Sequence, residues 1–282
     1  MKIDIHNNLI EFGSIYLKDH IVLDIEGDAE KVQEFLQGQV TSDISLLSDN
    51  SSQLSCICDH KGIVLADFII IKKNMCYKFI LDGKSGLKDI VISELMPFAK
   101  FSNVNFKKTN EKVIGEISPK SNSKDTYLSN NFYEISINTT NEATKIENSI
   151  NISQWNASNK ILGNLFLSSD DIGKYRPLEI NYDNLRVSFE KGCYRGQEIV
   201  ARMKYLGVDR RKFCTFITEE DFFSQLQPKS ISKPGNDMEK RKLLKNVGEI
   251  INLQDKCVFN AIVKKDDLPK INDLLSGIIE II

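Results

Sequence analysis

The side chains best suited to chemistry stand in one short run of the sequence. This run, called the motif loop below, comprises Lys191, Gly192, Cys193, Tyr194, Arg195, Gly196, Gln197 and Glu198. Its two glycines allow positive φ angles or a close approach of the backbone to a ligand. An amphipathic pattern begins at Gln197, so we predict a strand-to-loop-to-helix junction. The free amides of such a helix start, together with Arg195, favour an anionic ligand group.

Cys193 is the strongest single candidate for a functional group. Lys191 and Arg195 flank it, and the predicted helix begins just after it. Such an environment favours the thiolate and is typical of reactive or metal-binding cysteines. The alternative is a small residue packed beneath the loop, because most buried free cysteines are inert. We predict a functional thiol at this position.

The other candidate ligands are dispersed along the chain. Cys56 and Cys58 form a Cys-x-Cys pair in a predicted strand, where alternation puts both thiols on one face. No Cys-x-x-Cys or paired histidine accompanies them, so core packing is favoured and we predict no metal site. The only histidines are His6, His20 and His60. A histidine partner for Cys193 stays open, although a surface position is the simpler interpretation of each.

Composition favours a globular protein without a global attraction to polyanions. The chain has 282 residues, 41% hydrophobic, with 37 basic and 39 acidic residues and a formal net charge of −2. This length allows one large or two modest domains. The sequence shows no signal-peptide core and no window of ~18 apolar residues, so we expect a cytoplasmic protein without membrane contact. Its six cysteines lack a disulfide framework spacing, which is consistent with reduced thiols.

A local cluster of positive charge begins in the motif loop. Between positions 191 and 212 the sequence has seven basic residues and two acidic ones. Such a cluster can hold a short anion, contact RNA phosphates or form a solvated helix face. Few aromatic residues are interleaved with it, so the sequence favours a short anion over a long nucleic acid.

Local patterns in the first two thirds of the chain predict an α+β protein. We predict strands over 21–25, 54–58, 63–71 and 75–82, and helices over 29–39 and 87–96. Asp28 is the expected N-cap of the first helix. From 108 to 160 we expect loops with one or two short strands. The segment 176–180 is expected to be extended, because Pro177 disfavours helix before it.

The pattern changes to short strands after position 210. They are predicted over 212–218, 245–251, 257–264 and 277–282, with turn-rich stretches such as 228–235 between them. This arrangement is typical of a small antiparallel β-barrel. We therefore predict two domains, 1–210 and 211–282.

The segment 189–202 resembles the signature of the YgfZ family of folate-binding proteins. These are relatives of the aminomethyltransferase (T-protein) of the glycine cleavage system and of mitochondrial iron–sulfur assembly factors. The stretches 25–29, 35–44 and 247–251 are also similar to this family. The family usually has arginine after the glycine of the turn at 59–62, whereas this sequence has Ile63. The resemblance is weakest over 105–165.

The resemblance implies two α+β lobes of aminomethyltransferase-like fold and a C-terminal barrel around a central pocket. The pocket would bind tetrahydrofolate or a one-carbon derivative beside Cys193, whose thiol would carry a redox, cluster-contacting or one-carbon step. The implied role is support of iron–sulfur protein assembly or repair, with client proteins or the assembly machinery as partners and an indirect role in tRNA modification. Whether a substrate is turned over stays open, and an accessory factor is favoured. The alternatives are a folate-dependent aminomethyltransferase and a direct tRNA-binding module.

Two carboxylates are candidate acceptors for the ring N–H and exocyclic amine of a pterin. Such an acceptor is usually Asp or Glu in a low-dielectric slot. Asp43 and Glu179 are the predicted acceptors for these pterin groups. Asp43 can instead cap a turn, and Glu179 can pair with Arg176 or Arg186.

Aromatic and basic residues complete the predicted folate site. Trp155 and Tyr194 can stack on the pterin or aminobenzoyl ring, although single aromatics are usually core residues. Arg202, in the basic cluster, is predicted to hold the glutamate tail.

Overall fold

Helices and antiparallel sheets alternate along the chain. The computed structural model describes residues 9–123, 125–142, 145–146, 148–207, 210–219, 244–269, 271 and 278–281. The strands within these ranges are β1 (Gly13–Tyr16), β2 (His20–Glu26), β3 (Ser51–Cys58), β4 (Val64–Lys73), β5 (Cys76–Asp82), β6 (Asn105–Lys108), β7 (Lys112–Pro119), β8 (Thr126–Ser129), β9 (Tyr133–Thr140), β10 (Arg211–Glu219), β11 (Leu244–Leu253), β12 (Lys256–Lys264) and β13 (Ile278–Ile281). The helices are α1 (Ala29–Gln39), α2 (Leu87–Ala99), α3 (Ile152–Ile161), α4 (Tyr182–Leu185) and α5 (Gln197–Leu206). None of these helices has the length and apolar character needed to span a bilayer.

The first sheet has the strand order β3-β4-β5-β2-β6 and shares an apolar core with α1 and α2. The buried stripe of α1 is Val32, Phe35 and Leu36. Asp28 caps this helix, because its carboxylate accepts a hydrogen bond from the Lys31 amide at 3.2 Å. The cap satisfies one of the amides left free at a helix start. The predicted helix, its cap and the strands around it are confirmed.

The second sheet, β1-β7-β9-β8, occupies a region for which mainly loops were expected. That expectation was wrong, since β7, β8, β9 and α3 all lie within or overlap residues 108–160. Buried positions alternate along β7, but Asn, Ser, Lys and Thr are frequent through residues 108–160 and obscure this short pattern. Gly115 of β7 faces Trp155 of α3, and a side chain at 115 would overlap the indole ring. The helix therefore packs closely on the sheet.

The third sheet, β11-β12-β10-β13, contains all four strands predicted after position 210. Its register shifts between Val247 and Ile251, and Gly248 in this bulge has a φ of 68°. Closure of the sheet into a barrel and the domain boundary at 210 stay predictions. The turn-rich stretch 228–235 lies outside the described residues.

The chain before the motif loop differs from the predicted strand. It consists of the short helix α4 followed by irregular backbone, so the junction is helix-to-loop-to-helix. The segment expected to be extended contains a 3-10 turn, Pro177–Glu179. Proline at the first helical position costs no hydrogen bond, which explains why Pro177 starts this turn instead of preventing it.

Candidate functional site

The first cation of the motif loop anchors the loop to the end of α1. Lys191 is 7% exposed, and its Nζ donates hydrogen bonds to the carbonyl oxygens of Val40 at 2.7 Å and Ser42 at 3.1 Å. Burial lowers the pKa of Lys191 to about 8, partly offset by the charge of Asp43. The ammonium therefore holds the loop in place.

The second cation anchors the other end of the loop to the turn between β3 and β4. Arg195 Nε donates to the carbonyl oxygen of Cys58 at 2.7 Å, and Nη1 lies 2.9 Å from Glu94 Oε2 of α2. Gly196 has a φ of 85°, and a Cβ at this position would overlap the carbonyl oxygen of Asp59. The glycine is required because the two backbones approach closely here.

Two buried thiols lie beneath the loop. Cys56 and Cys58 are fully buried, and Cys56 Sγ is 3.2 Å from Thr41 Oγ1. A hydrogen bond with Cys56, together with burial, raises the pKa of Cys58 well above its usual value. Tyr194 is also buried, and burial raises the pKa of its phenol. These three side chains are placed as core residues under the motif loop.

Cys193 is exposed at the surface of the motif loop. Gly192 and Glu198 are exposed beside it, and Gln197 Nε2 is 3.5 Å from the carbonyl oxygen of Lys191. The cations predicted to activate the thiol instead bind the carbonyls and the carboxylate named above. The structure therefore presents Cys193 to solvent on a loop anchored at both ends.

A cavity of about 290 Å³ lies where elements of all three sheets meet. Its wall is formed by the β1–β2 turn, the end of β5, α3, the segment 164–168 and the bulge of β11. We call it the inter-sheet cavity. Trp155, Phe166 and Ile251 supply apolar wall, and Asp82, His20 and Lys160 supply titratable groups. Among the described residues that line it there is none from the motif loop, so the cavity and Cys193 belong to different surfaces.

A smaller chamber of about 10 Å³ adjoins the inter-sheet cavity and shares His20, Asp82 and Phe166 with it. Asp82 Oδ1 accepts a hydrogen bond from the Lys84 amide at 2.9 Å. Burial lowers the pKa of His20, although the nearby charges of Asp82 and Asp19 oppose this. A neutral imidazole and a carboxylate therefore stand together on the cavity wall.

The wall of the chamber includes Asp67, which belongs to a buried ion pair. Asp67 Oδ2 lies 3.1 Å from Arg186 Nη2, and both side chains are fully buried. Arg186 also donates to the carbonyl oxygens of Ser55 at 3.0 Å, Phe68 at 3.1 Å and Leu165 at 3.2 Å and to Asn164 Oδ1 at 2.9 Å. Burial raises the pKa of Asp67 to about 6, although the guanidinium counteracts it. The pair joins the first sheet to the 164–168 segment.

Of the five candidates for the folate site, Trp155 lines the inter-sheet cavity, and the other four, Tyr194 included, are not among the described lining residues. Asp43 caps a 3-10 turn, and the Ser45 hydroxyl that donates to it at 2.6 Å is the main cause of its lowered pKa. Glu179 accepts from the Arg176 amide at 3.0 Å and lies 3.7 Å from Arg211 Nη1. Arg202 is exposed on α5. Asp43 thus takes the capping role that the sequence left open, whereas the ion pair of Glu179 is with Arg211 and not with Arg176 or Arg186.

The cavity residues Asp82 and Lys160 were not predicted from the sequence, and His20 was considered only as a partner for Cys193. Asp82 ends a predicted strand just before a glycine, which is a local sign of a functional loop edge. Nothing local marks the other two. No group of three or more His, Cys, Asp or Glu side chains suited to a metal ion occurs within the described ranges.

The amino-acid sequence of this chain is similar to those of known bacterial proteins. No family model matches the chain. An uncharacterized protein of Haemophilus influenzae is 31% identical over 208 residues, which are 72% of this chain and 72% of that protein. The tRNA-modifying protein YgfZ of Vibrio atlanticus is 28% identical over 235 residues, covering 73% of this chain and 70% of the relative. That of Klebsiella pneumoniae is 29% identical over 232 residues, covering 71% and 69%. The chain belongs to the YgfZ family.

A solved structure agrees with the fold of this YgfZ-family protein. The glycine cleavage system aminomethyltransferase T from Bartonella henselae superposes with a TM-score of 0.59, covering 92% of this chain and 80% of that one. The two sequences are 14% identical. The match therefore establishes an aminomethyltransferase-like fold.

Proposed function

We propose that this protein binds a reduced folate in the inter-sheet cavity and supports iron–sulfur protein assembly or repair through Cys193. Membership of the YgfZ family supports the folate assignment, and the name of the relatives, tRNA-modifying protein, supports an indirect role in tRNA modification. The observation that carries the proposal is the cavity itself, which joins aromatic walls to a carboxylate that retains an acceptor oxygen.

The residues of the cavity fit a pterin. Its volume of about 290 Å³ is close to the lower end, about 300 Å³, of the usual range for small-molecule sites. Trp155 and Phe166 supply aromatic wall beside which a flat heterocycle can pack. Asp82 uses one oxygen for the Lys84 amide, which leaves the other to accept a ring N–H. Asp82 is a better acceptor for the pterin than Asp19, because the side chain of Asp19 is 57% exposed and paired with Lys84.

A bound reduced folate would supply a carrier for a one-carbon unit, and this chain would bind, orient and shield it. Asp82 would fix the orientation of the ring. His20, held neutral by burial, can donate or accept one further hydrogen bond beside it. Under this proposal, folate binding and the exposed thiol occupy separate surfaces of one scaffold.

Replacing Asp82 with Asn should weaken tetrahydrofolate binding by about 10- to 100-fold, since a hydrogen bond to a charged group contributes about 1.5–3 kcal/mol. Anaerobic calorimetry measures this directly. Asp43→Asn is the matched control, because Asp43 caps a turn outside the cavity. Unchanged tetrahydrofolate binding by Asp82→Asn would contradict the role of Asp82 as the pterin acceptor. Weakened binding by Asp43→Asn alone would assign that role to Asp43.

Replacing Cys193 with Ser should abolish the support of iron–sulfur enzymes while leaving tetrahydrofolate binding intact, because the thiol lies outside the cavity. The measurement is the activity of iron–sulfur enzymes in cells that lack the protein and are supplied with each variant. Cys76→Ser is the matched control, since Cys76 is the other exposed thiol among the described residues. Full support by Cys193→Ser would remove the central role of this thiol.

Direct tRNA binding has less support from the basic cluster. Lys191 and Arg195 are used to anchor the motif loop. Lys204 is paired with Asp183 at 2.8 Å, and Arg211 lies 3.7 Å from Glu179. These contacts neutralise part of the charge that a long nucleic acid needs.

A further inference from the structure

Lys160 places a buried ammonium group in the wall of the inter-sheet cavity. The residue is 7% exposed and stands near the end of α3. Its Nζ lies 3.0 Å from Asn260 Oδ1 of β12. An ammonium carries three donors, and within the described part of the chain this is the single hydrogen bond that Nζ makes. Two donors therefore remain for the cavity.

The charge of Lys160 is not matched by a contacting counter-ion in the described part of the chain. No carboxylate of those residues forms an ion pair with it, although Glu249 and Asp171 act on it from a distance. Burial lowers the pKa of Lys160 to about 8. A buried charge without a paired partner is costly, so an anion bound beside it would be stabilised.

Gly248 stands close to this ammonium, and both residues line the inter-sheet cavity. A Cβ at position 248 would lie 3.4 Å from Lys160 Nζ and 2.8 Å from Leu165 Cδ1. The left-handed backbone of this glycine, with a φ of 68°, disfavours any side chain there. A side chain at 248 would crowd Leu165 and the ammonium, so glycine keeps a side chain out of this part of the cavity wall.

Lys160 is not needed as a tether between α3 and the third sheet. Its carbonyl oxygen already accepts a hydrogen bond from Thr215 Oγ1 at 2.6 Å, and Asn260 Nδ2 donates to that hydroxyl at 2.8 Å. The backbone carbonyl therefore ties the helix to the sheet. Apart from its bond to Asn260 Oδ1, the ammonium therefore has donors available for a ligand.

We propose that Lys160 forms an anion subsite in the wall of the inter-sheet cavity, next to Gly248, that takes a carboxylate. The inference rests on the proposed function and deepens it. The carboxylate can come from the glutamyl tail of the folate or from a separate small carboxylic acid that binds beside the pterin. These two sources share one chemistry, and the arms of the experiment separate them.

The first measurement follows the lysine ammonium groups by NMR of the lysine Cε carbon in the intact protein. Lys160 and Lys191 both have a pKa near 8 and serve as probe and internal control. Tetrahydrofolate, a tetrahydropterin without a tail, and the same tetrahydropterin with free glutamate are added in turn. A bound carboxylate should raise the pKa of Lys160 by about one unit or more, a tenfold effect, and leave Lys191 unchanged.

The pattern of responses identifies the source of the carboxylate. If the pKa of Lys160 rises with tetrahydrofolate and with neither of the other two additions, the subsite binds the glutamyl tail. A shift with tetrahydropterin plus glutamate assigns it to a separate acid. No shift of Lys160 with any of the three would overturn the inference.

The second measurement is calorimetry with Lys160→Met. This substitution should lower the affinity for the carboxylate-bearing ligand by about tenfold or more and leave the affinity for tetrahydropterin unchanged. Lys78→Met is the control, because Lys78 is buried but paired with Asp24 at 2.7 Å and Glu111 at 3.1 Å. Equal weakening of both ligands by Lys160→Met would overturn the subsite. Failure of every folate and pterin to bind the wild-type protein would instead refute the proposed function. The anion subsite would then be tested with glutamate alone, and an unchanged pKa of Lys160 would overturn it.

Discussion

Replacing Arg186 with Met is expected to lower the free energy of unfolding by about 3–5 kcal/mol, as is typical when one partner of a buried ion pair is removed. The guanidinium is fully buried, and the change would leave the carboxylate of Asp67 without its counter-ion. It would also remove the hydrogen bonds that the guanidinium donates to the carbonyl oxygens of Ser55 and Phe68. Urea unfolding followed by circular dichroism measures the effect.

The destabilisation by Arg186→Met should be larger at pH 8 than at pH 5. The pKa of Asp67 in the folded protein is raised to about 6, above the value of 3.8 expected when unfolded. A raised carboxylate pKa contributes stability at low pH that is lost as the pH rises through the folded value. Without the guanidinium this pKa would rise further, so the variant recovers part of its stability by protonating Asp67.

The control for this prediction is Arg202→Met, because Arg202 is exposed on α5. Surface substitutions of this kind usually change stability by less than about 0.5 kcal/mol. An equal loss for Arg186→Met at both pH values, or a loss no greater than that of the control, would contradict the structural role assigned to the buried pair.

Gly196→Ala is expected to destabilise the protein by about 2 kcal/mol or more. The left-handed backbone of Gly196, with a φ of 85°, costs a non-glycine residue about 1–2 kcal/mol. The new methyl group would also overlap the carbonyl oxygen of Asp59, and overpacking typically adds about 1–3 kcal/mol. The strain should move the motif loop off the β3–β4 turn and impair the function of Cys193. Thermal unfolding and the cellular iron–sulfur enzyme assay measure the two effects.

The motif loop contains its own control for this substitution. A Cβ added at Gly192 would meet no heavy atom of the described residues within 4 Å, and the φ of this glycine lies outside the left-handed region. Gly192→Ala should therefore leave stability within about 0.5 kcal/mol of the wild-type value. If both glycine variants behave alike, the close approach of the loop to the turn is not what requires glycine at 196.

Elements with strong local signals were predictable from the sequence. Asp28 and the apolar stripe after it define α1, and short runs of apolar residues, buried almost throughout, define strands such as β4 and β12. The second sheet was missed because Asn, Ser, Lys and Thr are frequent through residues 108–160 and weaken the periodicity of its strands. Gly115 in β7 is explained by the ring of Trp155, which is 40 residues away in the sequence.

The candidate site shows the same division between local and tertiary information. The motif loop was visible as a run of residues, and its helix begins at Gln197 as predicted. The partners of its cations are set by tertiary packing, so the sequence could not show that Arg195 binds Cys58 and Glu94. Arg186 pairs with Asp67 and not with Glu179 for the same reason.

The most direct test of the folate proposal uses the fluorescence of Trp155. It is the single tryptophan of the chain and lies in the wall of the inter-sheet cavity. Anaerobic titration with tetrahydrofolate should produce saturable quenching at micromolar ligand, and Asp82→Asn should shift the midpoint to higher concentration. Unchanged Trp155 emission at saturating tetrahydrofolate would contradict the assignment of the inter-sheet cavity as the folate site.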